Sequence, residues 1–239
     1  MKKRSKRYQT RAKVFENMKK ACSVQDAIKI LKQVPKGKYD ESLDLHIQLG
    51  IKPEQSDENV RGTAPLPHGS GKNVRVLCFC KGEGAKAAEA AGAEYVGAEE
   101  YIQKVQGGWM EFDSVIAHPD MMREVSKLGR VLGPRGLMPT PKTGTVALDV
   151  AKAVKEVKAG RAEFKSDKTG GLHVACGKMS FSEQALADNV SSVVKAIVQA
   201  KPNAVKADYI KRAYLSATQT PSVKIDVSSF TSKDSEGNN

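Results

Sequence analysis

Strict alternation marks one stretch above all others. In LDLHIQLGI, the positions Leu43, Leu45, Ile47 and Leu49 are apolar while Asp44, His46 and Gln48 between them are polar. Period two predicts a strand that buries one face and leaves the other polar. Just before it, SVQDAIKILKQV places Val24, Ala27, Ile28 and Leu31 at helical spacing, with Ser23 as N-cap and Pro35 as the stop. The C-terminal third has the same style. AEFK, a turn at SDKTGG and LHVAC predict a β-hairpin in which Gly170 and Gly171 supply positive φ. SEQALADNVSSVVKAIVQAK predicts a long helix capped by Ser182, and IKRAYLSAT and PSVKIDVSSF predict strands. The tail TSKDSEGNN is polar and need not fold.

Between these ends the rhythm is different. NVRVLCFC is an apolar strand, GAKAAEAAG an Ala-rich helix, EYVGAEEYIQKV a short strand and a helix, DSVIAH a strand, and PDMMREVSKLG a helix with Pro119 in its first turn. AKAVKEVKAG follows as an amphipathic segment. Repeated βαβ units predict a parallel, doubly wound sheet. The polar, Pro- and Gly-bearing connection KPEQSDENVRGTAPLPHGSGK separates this part from the first strand and marks a domain boundary.

Between the last helix of the βαβ series and AKAVKEVKAG lies GRVLGPRGLMPTPKTGTV, Gly129 to Val146. Its eighteen residues hold four Gly and three Pro, which predicts a shaped loop without a helix or a central strand. Arg130, Arg135 and Lys142 make it basic, and Val131, Leu132, Leu137, Met138 and Val146 can pin it to a core. Either it is a crossover connection, or it is a preorganised backbone near phosphate.

Charge sharpens the division. The 239 residues carry a net charge of +12 with a pI near 9.5, which calls for a polyanionic partner. Residues 67–159 contain 13 Lys/Arg and 11 Asp/Glu, net +2, so the two ends, with 26 and 16, hold the other +10. Polyanion binding is therefore expected in a domain built jointly from the two ends, with the βαβ portion inserted. Residues 1–13 alone hold seven basic residues and no acid: either a basic arm, mobile when free and ordered on a polyanion, or a solubilising tail. An anionic membrane is the weaker partner, since no apolar run approaches a spanning length of roughly 20 residues. With no apolar segment resembling a secretory signal near the N-terminus, the expected location is the cytoplasm.

Catalytic and cofactor chemistry finds little support. Cys22, Cys78, Cys80 and Cys176 are scattered, and Cys78 and Cys80 alternate on a strand as buried thiols would. His46, His68, His118 and His173 do not cluster in sequence, so no metal site is expected. HGSGK at 68–72 lacks the first Gly of a Walker loop, where Leu66 stands, and has Asn73 in place of Ser or Thr. Gly82 and Gly84 lack a third Gly, since Ala87 holds that position, and Glu83 would repel a pyrophosphate. No cofactor is expected.

The segment from Val125 to Pro139, VSKLGRVLGPRGLMP, resembles the signature of the family of large-subunit ribosomal protein number one, in its bacterial form. DESLDLHIQLGI, SDENVRGTAPLPHGSGK, GWMEFDSVIAHPDMM and FKSDKTGGLHV resemble it as well, so the resemblance covers nearly the whole chain. It implies an α/β and α+β protein of two domains: a discontinuous α+β RNA-binding domain, residues 1–66 and 160–239, and an inserted Rossmann-like three-layer α/β domain, residues 67–159. It further implies a non-enzymatic constituent of the large subunit, monomeric within the ribosome, that binds ribosomal RNA to form a mobile stalk. Contact with exit-site tRNA and repression of its own mRNA are also implied. A free-standing RNA-binding regulator or chaperone is the alternative, and a nucleotide-dependent enzyme is disfavoured by the missing loops.

Carried over residue by residue, the resemblance assigns RNA contacts to Lys38, Tyr39, Glu41 and Ser42. It assigns further contacts to Lys165, Lys168, Thr169, Gly170 and His173 in the hairpin, and to Thr218, Pro221 and Ser222 near the C-terminus. Their chemistry suits RNA: an aromatic face for stacking, hydroxyls for ribose and lysines for phosphate. Arg130, Arg135 and Lys142 are candidates for tRNA or for the facing domain. One position departs from the family pattern. Thr220 stands where a Gly is usual, so either its hydroxyl takes part or the chain packs less closely on RNA.

Overall fold

The computed structural model describes residues 5–15, 21–35, 37–51, 58–202, 205 and 208–227, and the side chains of all of these except Arg7, Glu83 and Lys142. The polar tail, the very start of the basic arm and the start of the polar connection lie outside them. The protein is mixed α/β and falls into two compact units, one drawn from residues up to Gly71 and from Ala162 onward, the other spanning Lys72–Arg161.

In the first unit the order is α1 (Lys6–Lys13), α2 (Val24–Gln33), β1 (Ser42–Leu49) and β2 (Arg61–Pro65), then β6 (Arg161–Lys165), β7 (Gly171–Lys178), α8 (Glu183–Gln199), β8 (Ile210–Ala217) and β9 (Val223–Ile225). A four-stranded sheet has the order β7-β1-β8-β9, and all its described pairings are antiparallel. Its central strand β1 alternates as its sequence requires, with Leu43, Leu45, Ile47 and Leu49 buried. Helices α2 and α8 cover that apolar face, contributing Ala27, Ile28, Leu31, Leu186, Val190, Val193, Val194 and Ile197 to one core. Both helices begin where the sequence places a cap: the Ser23 and Ser182 side chains accept hydrogen bonds from Asp26 N and Ala185 N.

The second unit is built around β3 (Val76–Phe79), α3 (Glu83–Ala90), β4 (Tyr95–Gly97), α4 (Glu99–Gln106), β5 (Ser114–Ala117) and α7 (Val150–Gly160). Its parallel sheet has the order β4-β3-β5. β3 is buried along its whole length because both faces are covered. Leu77 and Phe79 share a cluster with Ile102 and Val105 of α4, and Val76 and Cys78 share the opposite cluster with Ala88 of α3 and Val154 of α7. Three layers result.

Four expectations are corrected. β6 and β7 do not form a hairpin ladder, since β6 pairs with β2 in a separate two-stranded sheet. Ser166 carries β6 away from β7: its N donates to Val60 O (2.8 Å) and its Oγ accepts from Val60 N (3.1 Å). Only Gly170 in that turn has positive φ, at 78°. Second, β2 sits inside the connection read as polar linker, and its five residues RGTAP carry no alternation to announce it. Third, the Gly-rich stretch begins as helix. A run of 3₁₀ and α turns passes through α5 (Met122–Val125) and α6 (Gly129–Leu132), because Gly129 and Gly133 adopt right-handed helical φ and ψ. Beyond it, Gly136 and Gly144 take positive φ and a 3₁₀ turn forms at Pro141–Thr143. Fourth, the described part of the basic arm is the helix α1, and it is docked by a buried arginine.

Candidate nucleic-acid interface

That arginine is Arg11, 1% exposed. Its Nη2 donates to Glu41 Oε1 at 2.5 Å and to Pro35 O at 2.7 Å, while Nη1 donates to Thr218 O at 3.0 Å and Gln219 O at 3.4 Å. One guanidinium therefore ties α1 to two loops far apart in sequence. A planar fork of donors can do this, and an ammonium cannot. Glu41 is buried too, and its Oε1 also accepts from Gly37 N at 2.8 Å. Its carboxylate serves as the partner of Arg11 and shapes the loop that carries Lys38 and Tyr39. Both of those side chains are exposed, Tyr39 by 47%, which is unusual for an aromatic in this chain.

The neighbouring strand ends are knitted to each other. Ser42 N donates to Thr218 Oγ1 (3.0 Å), Thr218 N donates to Ser42 O (3.2 Å), and Lys178 Nζ donates to Ser42 Oγ (3.1 Å). Beyond Thr218 the chain turns through Gln219, whose φ of 59° is left-handed, and Thr220 Oγ1 clamps the turn by bonding both Ala217 N (2.9 Å) and Ala217 O (2.8 Å). Pro221 is half-buried and Ser222 exposed. Lys38, Tyr39, Ser42, Thr218, Pro221 and Ser222 thus belong to one end of β1.

Lys165, Lys168, Thr169 and Gly170 belong to the other. Gln48 Nε2 donates to Thr169 O at 2.8 Å, and Leu49 N donates to Gly170 O at 2.9 Å. Asp167 Oδ1 closes this turn by accepting from Thr169 N (2.8 Å), Thr169 Oγ1 (2.8 Å) and Gly171 N (2.7 Å), bonds that hold its carboxyl below the usual carboxylate range. At about 3.4 Å per residue, Ser42 and Gln48 stand about 20 Å apart. The sequence-predicted residues are therefore two groups separated by the length of a strand.

What joins them is the polar face of the sheet. Asp44, His46 and Gln48 of β1 lie beside His173 of β7 and beside Arg212, Tyr214 and Ser216 of β8. Lys224 of β9 is opposite Tyr214. His46 Nδ1 is 2.8 Å from His173 Nδ1, and His46 Nε2 is 2.8 Å from Ser216 Oγ. Burial first, and then the charge of His173, pushes the His46 pKa down, against an upward pull from Asp44. A row of ring nitrogens, hydroxyls and cations with few acids can hydrogen-bond ribose and neutralise phosphate. Arg212, Tyr214, Ser216 and Lys224 were missed from sequence. The alternation of β8 carried the signal but was broken at Lys211-Arg212, beside the register shift at Gln48/Leu49.

In the second unit Arg130 and Arg135 are exposed, and Lys142 lies in the 3₁₀ turn, its side chain outside the described residues. Leu132 is buried, and Val131, Leu137 and Met138 pack against the same core, so the stretch is pinned as its apolar residues imply. Thr140, Thr143 and Thr145 interlock through hydroxyl contacts of 2.8 and 2.9 Å, and Arg161 Nη2 donates to Thr143 O. The Gly-rich turn at 68–72 is held by a residue no motif pointed to. The wholly buried Asn189 accepts from His68 N (3.1 Å) and donates to Gly69 O (3.1 Å) and Cys176 O (2.8 Å).

Cys78 and Cys80 are buried with their Sγ atoms 3.4 Å apart, and burial pushes the Cys78 thiol well above its ordinary range and Cys176 up to about 12. Among the described residues no group of three or more His, Cys, Asp or Glu could hold a metal ion. No helix among them is long and apolar enough to cross a membrane.

An exposed aromatic beside a latched basic helix, next to a polar and cationic sheet face, has the make-up of a nucleic-acid-binding surface, and no catalytic group is assembled among the described residues. A sequence profile of the Ribosomal protein L1p/L10e family matches residues 31–221. The Large ribosomal subunit protein uL1 of Kosmotoga olearia is 53% identical over 226 residues, covering 95% of this chain and 97% of that protein. The chain belongs to the ribosomal protein L1 family, a family of structural, non-enzymatic ribosomal proteins.

Proposed function

We propose that the protein is a constituent of the large ribosomal subunit and anchors to large-subunit ribosomal RNA through the unit built from its two ends. That unit carries most of the charge: Lys72–Arg161 holds 14 Lys/Arg and 11 Asp/Glu, net +3, which leaves +9 of the total +12 to the rest. The observation that carries the reading is the exposed Tyr39 on a loop fixed from behind by Arg11 and Glu41. A rigidly presented aromatic beside cations can stack on an unpaired base at little entropic cost. The contact set comprises Lys38, Tyr39, Ser42, Thr218, Pro221 and Ser222 at one end of β1, and Lys165, Lys168, Thr169 and Gly170 at the other, with His173 between. Glu41 acts behind that surface.

With the first unit as RNA-binding domain and Lys72–Arg161 as an inserted Rossmann-like domain, the protein would form the protein part of a mobile stalk. Arg130, Arg135 and Lys142 of the inserted domain would meet deacylated tRNA leaving the exit site. The same RNA surface would bind a similar fold in the protein's own mRNA and repress its translation.

The test is equilibrium binding of the full chain to a large-subunit ribosomal RNA fragment. Tyr39→Ala removes stacking worth on the order of 1–3 kcal/mol, so affinity should fall about tenfold or more with an unchanged salt slope and an unchanged melting temperature. Parent-like affinity overturns the assignment of the RNA surface. Retention on large subunits after a high-salt wash separates a ribosomal constituent from a free-standing regulator.

A further inference from the structure

We propose that α1 is a phosphate-binding element of the RNA interface and that Arg11 is the positioning residue that sets it there. The proposal rests on the reading of the Tyr39 surface as that interface, and extends it to a segment no motif assigned.

An eight-residue helix is too short to persist in water by itself, so α1 must draw its order from docking. The docking is visible. Ser5 Oγ accepts from Tyr8 N (3.3 Å) as a cap, Arg11 is buried, and Phe15 beyond the helix packs against the core of the first unit. Ser5, Lys6, Gln9, Thr10 and Lys13 remain exposed, Lys13 one turn after Gln9. This outward face is cationic and polar, with no large apolar side chain among its exposed residues. A membrane-surface helix would need one. Residues 1–13 contain no acid that could neutralise it.

The placement is more informative than the charge. Arg11 does not bond to arbitrary backbone. Two of its partners, Pro35 O and Glu41, bracket the Lys38-Tyr39 loop, and the other two, Thr218 O and Gln219 O, open the turn that carries Pro221 and Ser222. The same guanidinium that fixes the two loops of the interface also fixes the rotation of α1 about its axis. With Arg11 turned inward, Lys6 and Lys13, seven residues apart, share the roughly opposite, outward side of the helix. α1 is thereby docked against the two loops that carry Lys38, Tyr39, Pro221 and Ser222, with its cationic side turned outward next to them, open to phosphates flanking a base stacked on Tyr39. A free basic tail would gain the same Coulomb attraction but would lose conformational entropy on binding, which a docked helix has already given up.

The experiment compares three variants of the full chain on one large-subunit ribosomal RNA fragment across a salt series. The double variant Lys6→Ala with Lys13→Ala should bind roughly tenfold more weakly at low salt, and the slope of log affinity against log salt should shrink by about 1.4 to 1.8, two phosphates' worth. Its melting temperature should match the parent. Arg11→Lys keeps the charge but loses the fork; it should reduce the slope in the same direction and abolish hydrogen-exchange protection of the amides of residues 9–13. Tyr39→Ala is the reference for the underlying reading. If the double variant keeps the parent's affinity and slope while Tyr39→Ala is weakened, α1 is a structural strap and the proposal is overturned while the RNA surface stands. If neither variant is weakened, the proposal falls together with that surface.

Discussion

Glu41 gives the sharpest test, because two accounts of it predict opposite results. Its family match assigns it to RNA, whereas its position places it under the surface: 6% exposed, with Oε1 accepting from Arg11 and Gly37 N. In Glu41→Ala the guanidinium of Arg11 stays buried and loses its only carboxylate among the bonds described above. Breaking a buried ion pair from one side costs about 3–5 kcal/mol. Three carbonyls, of Pro35, Thr218 and Gln219, still accept from Arg11, so the lower end, about 3 kcal/mol, is expected. At about 2–4 °C per kcal/mol for a chain of this size, the melting temperature should fall by about 6–12 °C. Glu41→Gln keeps an acceptor oxygen and should lose less than half of that. Circular dichroism melts measure the loss, and hydrogen exchange of β1 and β8 amides localises it. RNA affinity should weaken only in step with the loss of protection in the Pro35–Ser42 loop. A Glu41→Ala variant with parent-like melting and exchange but markedly weaker RNA binding would refute the reasoning, since Glu41 would then touch RNA directly.

Asn189→Leu should cost about 3–5 kcal/mol in urea unfolding, because it leaves His68 N, Gly69 O and Cys176 O without their partner at about 1–3 kcal/mol for each buried group; a loss under about 1 kcal/mol would mean that water or relaxation replaces all three bonds. Gly170→Ala should destabilise by about 1–2 kcal/mol or more, since φ is +78° and the added Cβ would stand 3.2 Å from Ile51 Cγ1; an unchanged urea midpoint would contradict the strain. The depressed pKa of His46 has a definite sign: above its ordinary 6.5 the group is neutral in both states, and as pH falls through that value the unfolded chain takes up the proton first, so stability should decline. The groups around it are Asp44, His173, Tyr214, Ser216 and, through His173, Asp167. His46→Gln should flatten the pH dependence of the urea midpoint between about pH 6.5 and 5, and an unaltered profile would remove His46 as its source.

The elements legible in the sequence are those whose periodicity was enforced on one side. β1 reads as alternation because α2 and α8 bury every second residue, and β3 reads as a continuous apolar run because both of its faces are covered. β2 could not be read, as five residues containing Gly62 and ending in Pro65 have no face to declare. The turn at 167–171 was legible and its strands were not mispredicted, yet their pairing was. Partner choice depends on Ser166 meeting Val60, a contact 106 residues away in sequence. The surface around Tyr39 shows the same limit. Its residues can be named one by one as candidates, but the link from Arg11 to Glu41, Pro35, Thr218 and Gln219 joins segments up to 208 residues apart, so a basic arm and a buried latch look alike until the chain is folded.

Thr220 departs from the family pattern in the turn that follows β8. Two outcomes stood open for a β-branched residue in a position where Gly is usual: a hydroxyl available to ribose, or looser packing on RNA. The hydroxyl accepts from Ala217 N and donates to Ala217 O, so its donor and one lone pair are spent inside the turn. The left-handed geometry falls one residue earlier, on Gln219, at a cost of order 1 kcal/mol for a non-Gly residue. That strain is opposed from within by the Thr220 clamp and from behind by Arg11, whose Nη1 lies 3.4 Å from Gln219 O. The turn is therefore stiffened by side chains where Gly would have left it supple, and the exposed groups it offers outward are Gln219 and Ser222. A Cβ at residue 220 blocks close approach of the backbone, so on the RNA surface proposed above any contact at this turn falls to those neighbours. Of the two outcomes, the altered packing on RNA is the one this arrangement supports.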